Sequence, residues 1–267
     1  MKSLCIASAK GGVGKTTVSL NLAYAMATRG TRVLLADLDP QGAVAHSLGR
    51  RELEPGLAGF LAQELPLEEL LLKTRLDGLS LLPMGDLAVE DTPALASMLS
   101  DGAPLGRLLR EAADVADLLL IDTPCGFGGI TRGALSVSDH VLLPVQAEPL
   151  SLRTLDQTLE AIAGLRGQGL AVELLGVVIT MLQQRDPDSL AVAEELWSRM
   201  PPELVLDTTI PRDKAFLRAS GAGVPLGLLG RRPPPVHVVF DRLAQELEAR
   251  LGLDRKEEDD APIPLLA

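Results

Sequence analysis

An apolar run, Leu4–Ala7, passes directly into the glycine-rich stretch Ser8–Thr17, SAKGGVGKTT, and a Leu/Ala-rich segment of helical length, Thr16–Arg29, follows at once. A strand that delivers a glycine-rich turn to a helix N-terminus is a cradle for an anion. Gly11, Gly12 and Gly14 carry no Cβ, so backbone N–H groups can converge on a phosphate with Val13 between them. The helix end adds the positive pole of its dipole. Lys15 then supplies a point charge to β/γ-phosphates, and the hydroxyl of Thr16, followed by Thr17, is placed to ligate Mg²⁺. The strict spacing G-x-x-x-x-G-K-[ST] fails at Ala9, and a second lysine, Lys10, stands beside it.

The rest of the chain alternates in the same way. Apolar runs at Leu4–Ala7, Arg32–Ala36, Leu79–Pro83, Leu118–Ile121, His140–Val145, Leu174–Thr180 and Val205–Ile210 read as strands. Helical patterns separate most of them: Thr16–Arg29, Ala94–Ala113, Ser151–Arg166 and Ser189–Arg199. This order predicts βαβ units with right-handed crossovers, hence an α/β fold with a mainly parallel seven- or eight-stranded sheet flanked by helices. Only 2% of residues are aromatic against 46% hydrophobic, so Leu, Val, Ile and Ala must build the core. Leu53–Lys73 reads as a helical excursion on the rim, and Gly221–Pro235 as a loop that helix cannot traverse. Val236–Leu251 resumes a helical pattern that is expected to pack on the sheet. Residues 1–252 are expected to form one phosphate-loop domain, and 253–267 an acidic, disordered tail.

Two further motifs follow strands. LLADLDPQG puts Asp37 and Asp39 at the carboxyl end of the second strand, the edge where open parallel sheets bind ligands. Carboxylates there can hold magnesium's water shell and orient an attacking water. Pro40 and Gly42 break the chain, so Asp39 sits on a loop able to respond to nucleotide state. LLLIDTPCGFGG ends a third apolar strand at Asp122, aimed at the same Mg²⁺ site, and its glycines make the next loop pliable.

KGGVGKTT, DLDPQG and IDTP, in this order and at about these separations, resemble the ParA/MinD group of deviant Walker ATPases. VLLPVQAEPLSL and the IPRD segment bring the likeness nearer the ParA (Soj-like partition) branch, and it spans about Lys2–Leu251. The resemblance implies a homodimer that sandwiches two ATP molecules with Mg²⁺. In it Lys10 crosses the interface to the partner's nucleotide, Asp39 positions the hydrolytic water, and Pro211, Arg212 and Asp213 lie beside the adenine. It also implies non-specific DNA binding through Arg185. A second basic position falls on Ala215, where the flanking Lys214 and Arg218 are the substitutes. A ParB-like or cargo-adaptor partner would stimulate a slow ATPase that positions plasmid, chromosome or a protein assembly. The alternative is a nucleotide-switched regulatory scaffold, or a MinD-like membrane ATPase, that uses no DNA.

Charge and cysteines limit other classes. A net charge of −11 argues against coating nucleic acid over the whole surface, so DNA affinity should be modest and salt-sensitive. Asp122 and Cys125 have the spacing by which nitrogenase-type iron proteins ligate a shared cluster, but each subunit would need two thiolates and the second cysteine, Cys5, lies in the first strand. No run approaches the ~20 apolar residues of a membrane span. Val236–Leu251 leads into an acidic segment that anionic lipid would repel. The expected location is the cytoplasm, on the nucleoid.

Overall fold

The computed structural model describes residues 1–49, 55–62 and 65–253. Its first half runs β1 (Lys2–Ile6), α1 (Lys15–Thr28), β2 (Val33–Asp37), α2 (Ala43–Ser47), α3 (Gly56–Leu61), α4 (Leu67–Leu70), β3 (Leu72–Lys73), β4 (Leu79–Leu82), α5 (Thr92–Leu99) and α6 (Ala103–Val115). The second half runs β5 (Leu118–Asp122), α7 (Gly129–Val137), β6 (His140–Gln146), α8 (Pro149–Gly167), β7 (Glu173–Thr180), α9 (Pro187–Arg199), α10 (Lys214–Ala222) and α11 (Val238–Leu251). The strands form one sheet in the order β3-β4-β2-β5-β1-β6-β7, and every pair except β3–β4 is parallel. Successive strand residues point to opposite faces, so each central strand feeds two cores. Cys5, Leu34 and Ile121 pack under α3 to α9, while Leu4, Leu35 and Leu120 pack under α1, α10 and α11.

Three sequence expectations need correction. Val205–Ile210 is not a strand: it makes only an isolated parallel bridge, Val177 to Val205. The N–H groups of Leu206 and Ile210 do reach carbonyls of β7, but those of Asp207 and Thr208 turn away to the Glu246 carboxylate of α11. The Arg250 guanidinium, from the same helix, donates to the carbonyls of Leu175, Glu203 and Val205. Side chains of a helix thus satisfy backbone groups that a ladder would otherwise take. Ala94–Ala113 is two helices, broken where Gly102 adopts φ 77° and Asp101 accepts from the Ala103 N–H at 3.0 Å. Leu53–Lys73 holds α3, α4 and the edge strand β3, too short to show a period, while residues 50–54 and 63–64 lie outside the described residues. Gly221–Pro235 contains the end of α10 and a 3₁₀ turn at Leu226–Leu228. The acidic tail, 254–267, also lies outside the described residues.

Register carries the functional motifs to one edge. Ile6 of β1 and Asp37 of β2 both pair with Asp122 of β5, so the three motif loops leave the sheet side by side. The apolar stripe of α11 (Phe240, Leu243, Leu247 and Leu251) is buried, mainly against α1. Among the described residues no helix is long and apolar enough to cross a membrane.

Candidate nucleotide site

The loop between β1 and α1 is held open by its neighbours. Thr180 at the end of β7 donates its hydroxyl to the Val13 carbonyl at 2.8 Å, and the Gly126 N–H donates to the Ser8 carbonyl at 2.9 Å. Thr123 anchors the end of β1 by donating to the Ile6 carbonyl. Gly12 and Gly14 have φ of 76° and 93°, left-handed values that side chains resist. Gly14 is the N-cap of α1 and no side chain caps that end. The first-turn N–H groups are therefore available to an anion. Lys15 begins the helix and is buried, and its charge acts on Asp122, whose pKa it lowers.

Lys10 is placed differently. Its ammonium donates to Glu148 Oε2 at 3.0 Å, Gln146 Oε1 at 3.2 Å and Ser151 Oγ at 3.3 Å, all at the turn from β6 into α8. Glu148 also accepts from the Gln146 amide. The two lysines of SAKGGVGKTT thus belong to different surroundings, one inside the phosphate loop and one at its rim. Sequence reasoning missed the three groups that receive Lys10, because they lie more than 130 residues away.

The carboxylates form the opposite wall. Asp122 is fully buried and accepts from Thr16 Oγ1 at 2.7 Å and Ser19 Oγ at 2.8 Å. Burial outweighs those hydrogen bonds and raises its pKa to about 6. Asp37, also fully buried, accepts from the N–H groups of Asp39 and Val44. Burial first, and then the Asp122 charge, push it well above the ordinary carboxylate range. Asp39 is half-buried; its carboxylate accepts from the Gln41 N–H at 2.9 Å and its carbonyl from the Gly42 N–H. These local bonds hold an Asx turn over Pro40 rather than a long-range anchor. Ser19 was not anticipated, although it stands three residues after Thr16 and so shares its helix face.

The donor set fits a magnesium nucleotide. Thr16 spends its hydroxyl proton on Asp122, which leaves its oxygen lone pairs for a cation, while Asp122 orients the ligand from behind. Among the described residues no group of three or more His, Cys, Asp or Glu side chains could hold a metal unaided. Mg²⁺ needs fewer, because it keeps waters and takes phosphate oxygens. Cys5 is fully buried and Cys125 exposed, so the chain offers no pair of thiolates at one surface. Beside the loop lies a cleft of about 490 Å³ lined by Gly14, Thr17, Met181, Pro211, Arg212 and Asp213, among others. Met181 is a non-glycine residue at φ 54°. The Arg212 N–H donates to the Leu182 carbonyl, and Asp213 caps α10 by accepting from the Ala215 N–H at 2.7 Å.

The Asp122 environment yields a prediction. A raised carboxylate pKa means that its contribution to stability is full below the unfolded value and is lost as pH rises through about 6. Asp122→Asn removes that penalty, so the nucleotide-free variant should melt no lower than the parent at pH 8. Its Mg²⁺-dependent nucleotide affinity should fall ~10–100-fold. Thermal melting with and without Mg²⁺ and nucleotide checks both; a variant that melts lower yet binds normally would contradict the assignment.

Known proteins place this geometry. A family model described as an AAA domain matches residues 1–172. The chromosome-partitioning ATPase Soj of Thermus thermophilus is 37% identical over 254 residues, covering 94% of this chain and 97% of that relative. The cell-division ATPase MinD of Pyrococcus furiosus superposes with a TM-score of 0.75 at 28% identity, over 93% of this chain and 98% of that one. The ATP complex of a Cyanothece McdA variant gives a TM-score of 0.80 over 96% and 98% of the two chains; at 23% identity it speaks for the fold alone. With that family match, a Soj relative along nearly its whole length, and an uncapped phosphate loop facing two buried aspartates, the chain belongs to the ParA/MinD-type P-loop ATPases.

Proposed function

We propose that residues 1–252 act as one ATPase domain that binds MgATP, closes into a two-fold dimer, holds DNA non-specifically and positions cargo until a partner stimulates hydrolysis. The observation that carries this reading is the separation of the two lysines. Lys15 lies inside its own phosphate loop, whereas Lys10 stands on the rim among Gln146, Glu148 and Ser151. A rim cation exchanges those partners for the nucleotide of a second copy when two loops face each other. Gly11–Thr17 receive the phosphates; Pro211, Arg212 and Asp213 line the base side. Thr16, Asp37 and Asp122 hold the cation and its waters, and Mg²⁺ there would neutralise phosphate charge. Asp39, on the turn after Asp37, orients the attacking water.

The DNA reading rests on exposed cations on a loop and on the helix beside it. Arg185, Lys214 and Arg218 are exposed, and the Leu182–Pro211 bridge ties the loop of Arg185 to the start of α10. Lys214 and Arg218 are four residues apart and share one helix face. Ala215 is fully buried, so the position itself cannot present a cation. Co-sedimentation with DNA is expected with ATP and not with ADP. Arg185→Ala should weaken binding for all sequences and flatten the log–log salt slope by about one. Absence of ATP-dependent binding even at low salt would contradict the DNA track. The net charge of −11 favours the second reading in that event, a nucleotide-switched scaffold for a protein partner.

A further inference from the structure

A second groove, of about 350 Å³, shares no residue with the cleft beside the phosphate loop. Tyr24 of α1, Leu48 after α2, and Leu72 and Leu76 around β3 line it; all four are half-buried. The Tyr24 ring lies against Gly227, where a Cβ would come within 2.2 Å of it. Lys73 and Arg75 are exposed at the same groove. An apolar channel with a basic margin suits an extended apolar peptide with an acidic flank.

The chain carries such a segment, and it starts close by. Leu253 packs on the same hydrophobic cluster as Tyr24, Leu48, Leu72 and Leu76. Its N–H donates to the Glu248 carbonyl, the Glu248 carboxylate accepts from Thr31 Oγ1 at 2.8 Å, and the Thr31 carbonyl lies beside Gly78. Gly78 precedes Leu79, another residue lining the groove. The next residues read DRKEEDDAPIPLLA. Extended at roughly 3.3 Å per residue, 254–262 alone reach ~30 Å.

We propose that this groove is the docking site of the chain's own segment 254–267, with Glu257–Asp260 against Lys73 and Arg75 and the Ile263, Leu265 and Leu266 side chains in the channel. Pro262 and Pro264, whose rings fix φ, restrict the free segment and so lower the ordering cost of docking. Docking there touches α2, whose Val44 N–H holds Asp37, so the segment abuts the loop that carries Asp39.

Tyr24 is the only tyrosine in the chain, which makes a direct test available. Grown with 3-fluorotyrosine, the full chain gives one ¹⁹F resonance from inside the groove. A nitroxide on Ala261→Cys, in a Cys125→Ser background, is expected to strip most of that resonance's intensity at dilute protein. The buried Cys5 thiol stays unlabelled. Adding Leu265→Asp and Leu266→Asp should restore the signal. Full intensity with the label in place would overturn the proposal, as would loss that persists in the double aspartate variant. Loss only when spin-labelled chains are mixed with separate fluorotyrosine chains would assign the groove to a second copy and overturn docking within the chain.

Discussion

Lys10→Ala is expected to bind ATP with near-parental affinity and yet hydrolyse it ~10³-fold more slowly, with ATP-dependent dimerisation impaired. The size follows from the position of the charge. A cation brought to a transferring phosphoryl group from another subunit is worth on the order of 10³–10⁵ in turnover in related phosphate-loop chemistry. It contributes little to ground-state binding if it arrives only when two copies meet. The rim contacts of Lys10 predict the same separation of effects. Its ammonium is held by Glu148, Gln146 and Ser151 rather than inside the loop, so truncation should leave the cradle of Gly14, Lys15 and Thr16 intact. Lys15→Ala should behave oppositely and lose nucleotide binding itself. Nucleotide affinity by fluorescence, set beside single-turnover hydrolysis, separates the two; unchanged turnover in Lys10→Ala would remove the mechanistic core of the proposal.

Asp39→Ala is expected to keep both binding and dimerisation and to lose hydrolysis by at least ~10², the usual worth of a group that orients or deprotonates a nucleophile. Asp37 and Asp122 are buried and bonded on both carboxylate oxygens, whereas the Asp39 carboxylate, half-buried, accepts only from the Gln41 N–H of its own turn. A group held only by its own turn can move without unfolding the site, so its removal should arrest chemistry rather than assembly. The variant should therefore accumulate as an ATP-bound dimer by size exclusion with light scattering. A monomer under those conditions would show that Asp39 is needed for closure instead.

Much of this was legible in the chain because the information is local. The strand–glycine loop–helix order of Leu4–Arg29 is fixed by neighbouring residues, and so are the strands that end at Asp37 and Asp122. Their convergence follows from the crossover rule, which leaves few ways to arrange parallel strands. What was not legible depends on distant partners. Val205–Ile210 has a strand's composition, but Glu246 and Arg250 of α11 take its backbone groups, and no local pattern reveals that competition. The break at Gly102 was readable from Asp101-Gly102-Ala103-Pro104, yet the leucine spacing on both sides outweighed it. The partners of Lys10 and the pairing of Ser19 with Asp122 exist only once the sheet brings the motifs together.

The claim that Lys10 serves the opposite subunit while Asp39 serves its own admits one direct test. Lys10→Ala and Asp39→Ala chains, carrying different tags, are purified as a mixed dimer and assayed against each variant alone. In the mixed dimer the Asp39→Ala chain supplies its Lys10 to the nucleotide of the Lys10→Ala chain, which retains Asp39, so one of two sites is complete. About half the parental rate per dimer is expected from a closed two-fold assembly in which each site draws on both copies. A mixed dimer no faster than either variant alone would mean that both residues act on the same nucleotide from the same chain, and would contradict the account.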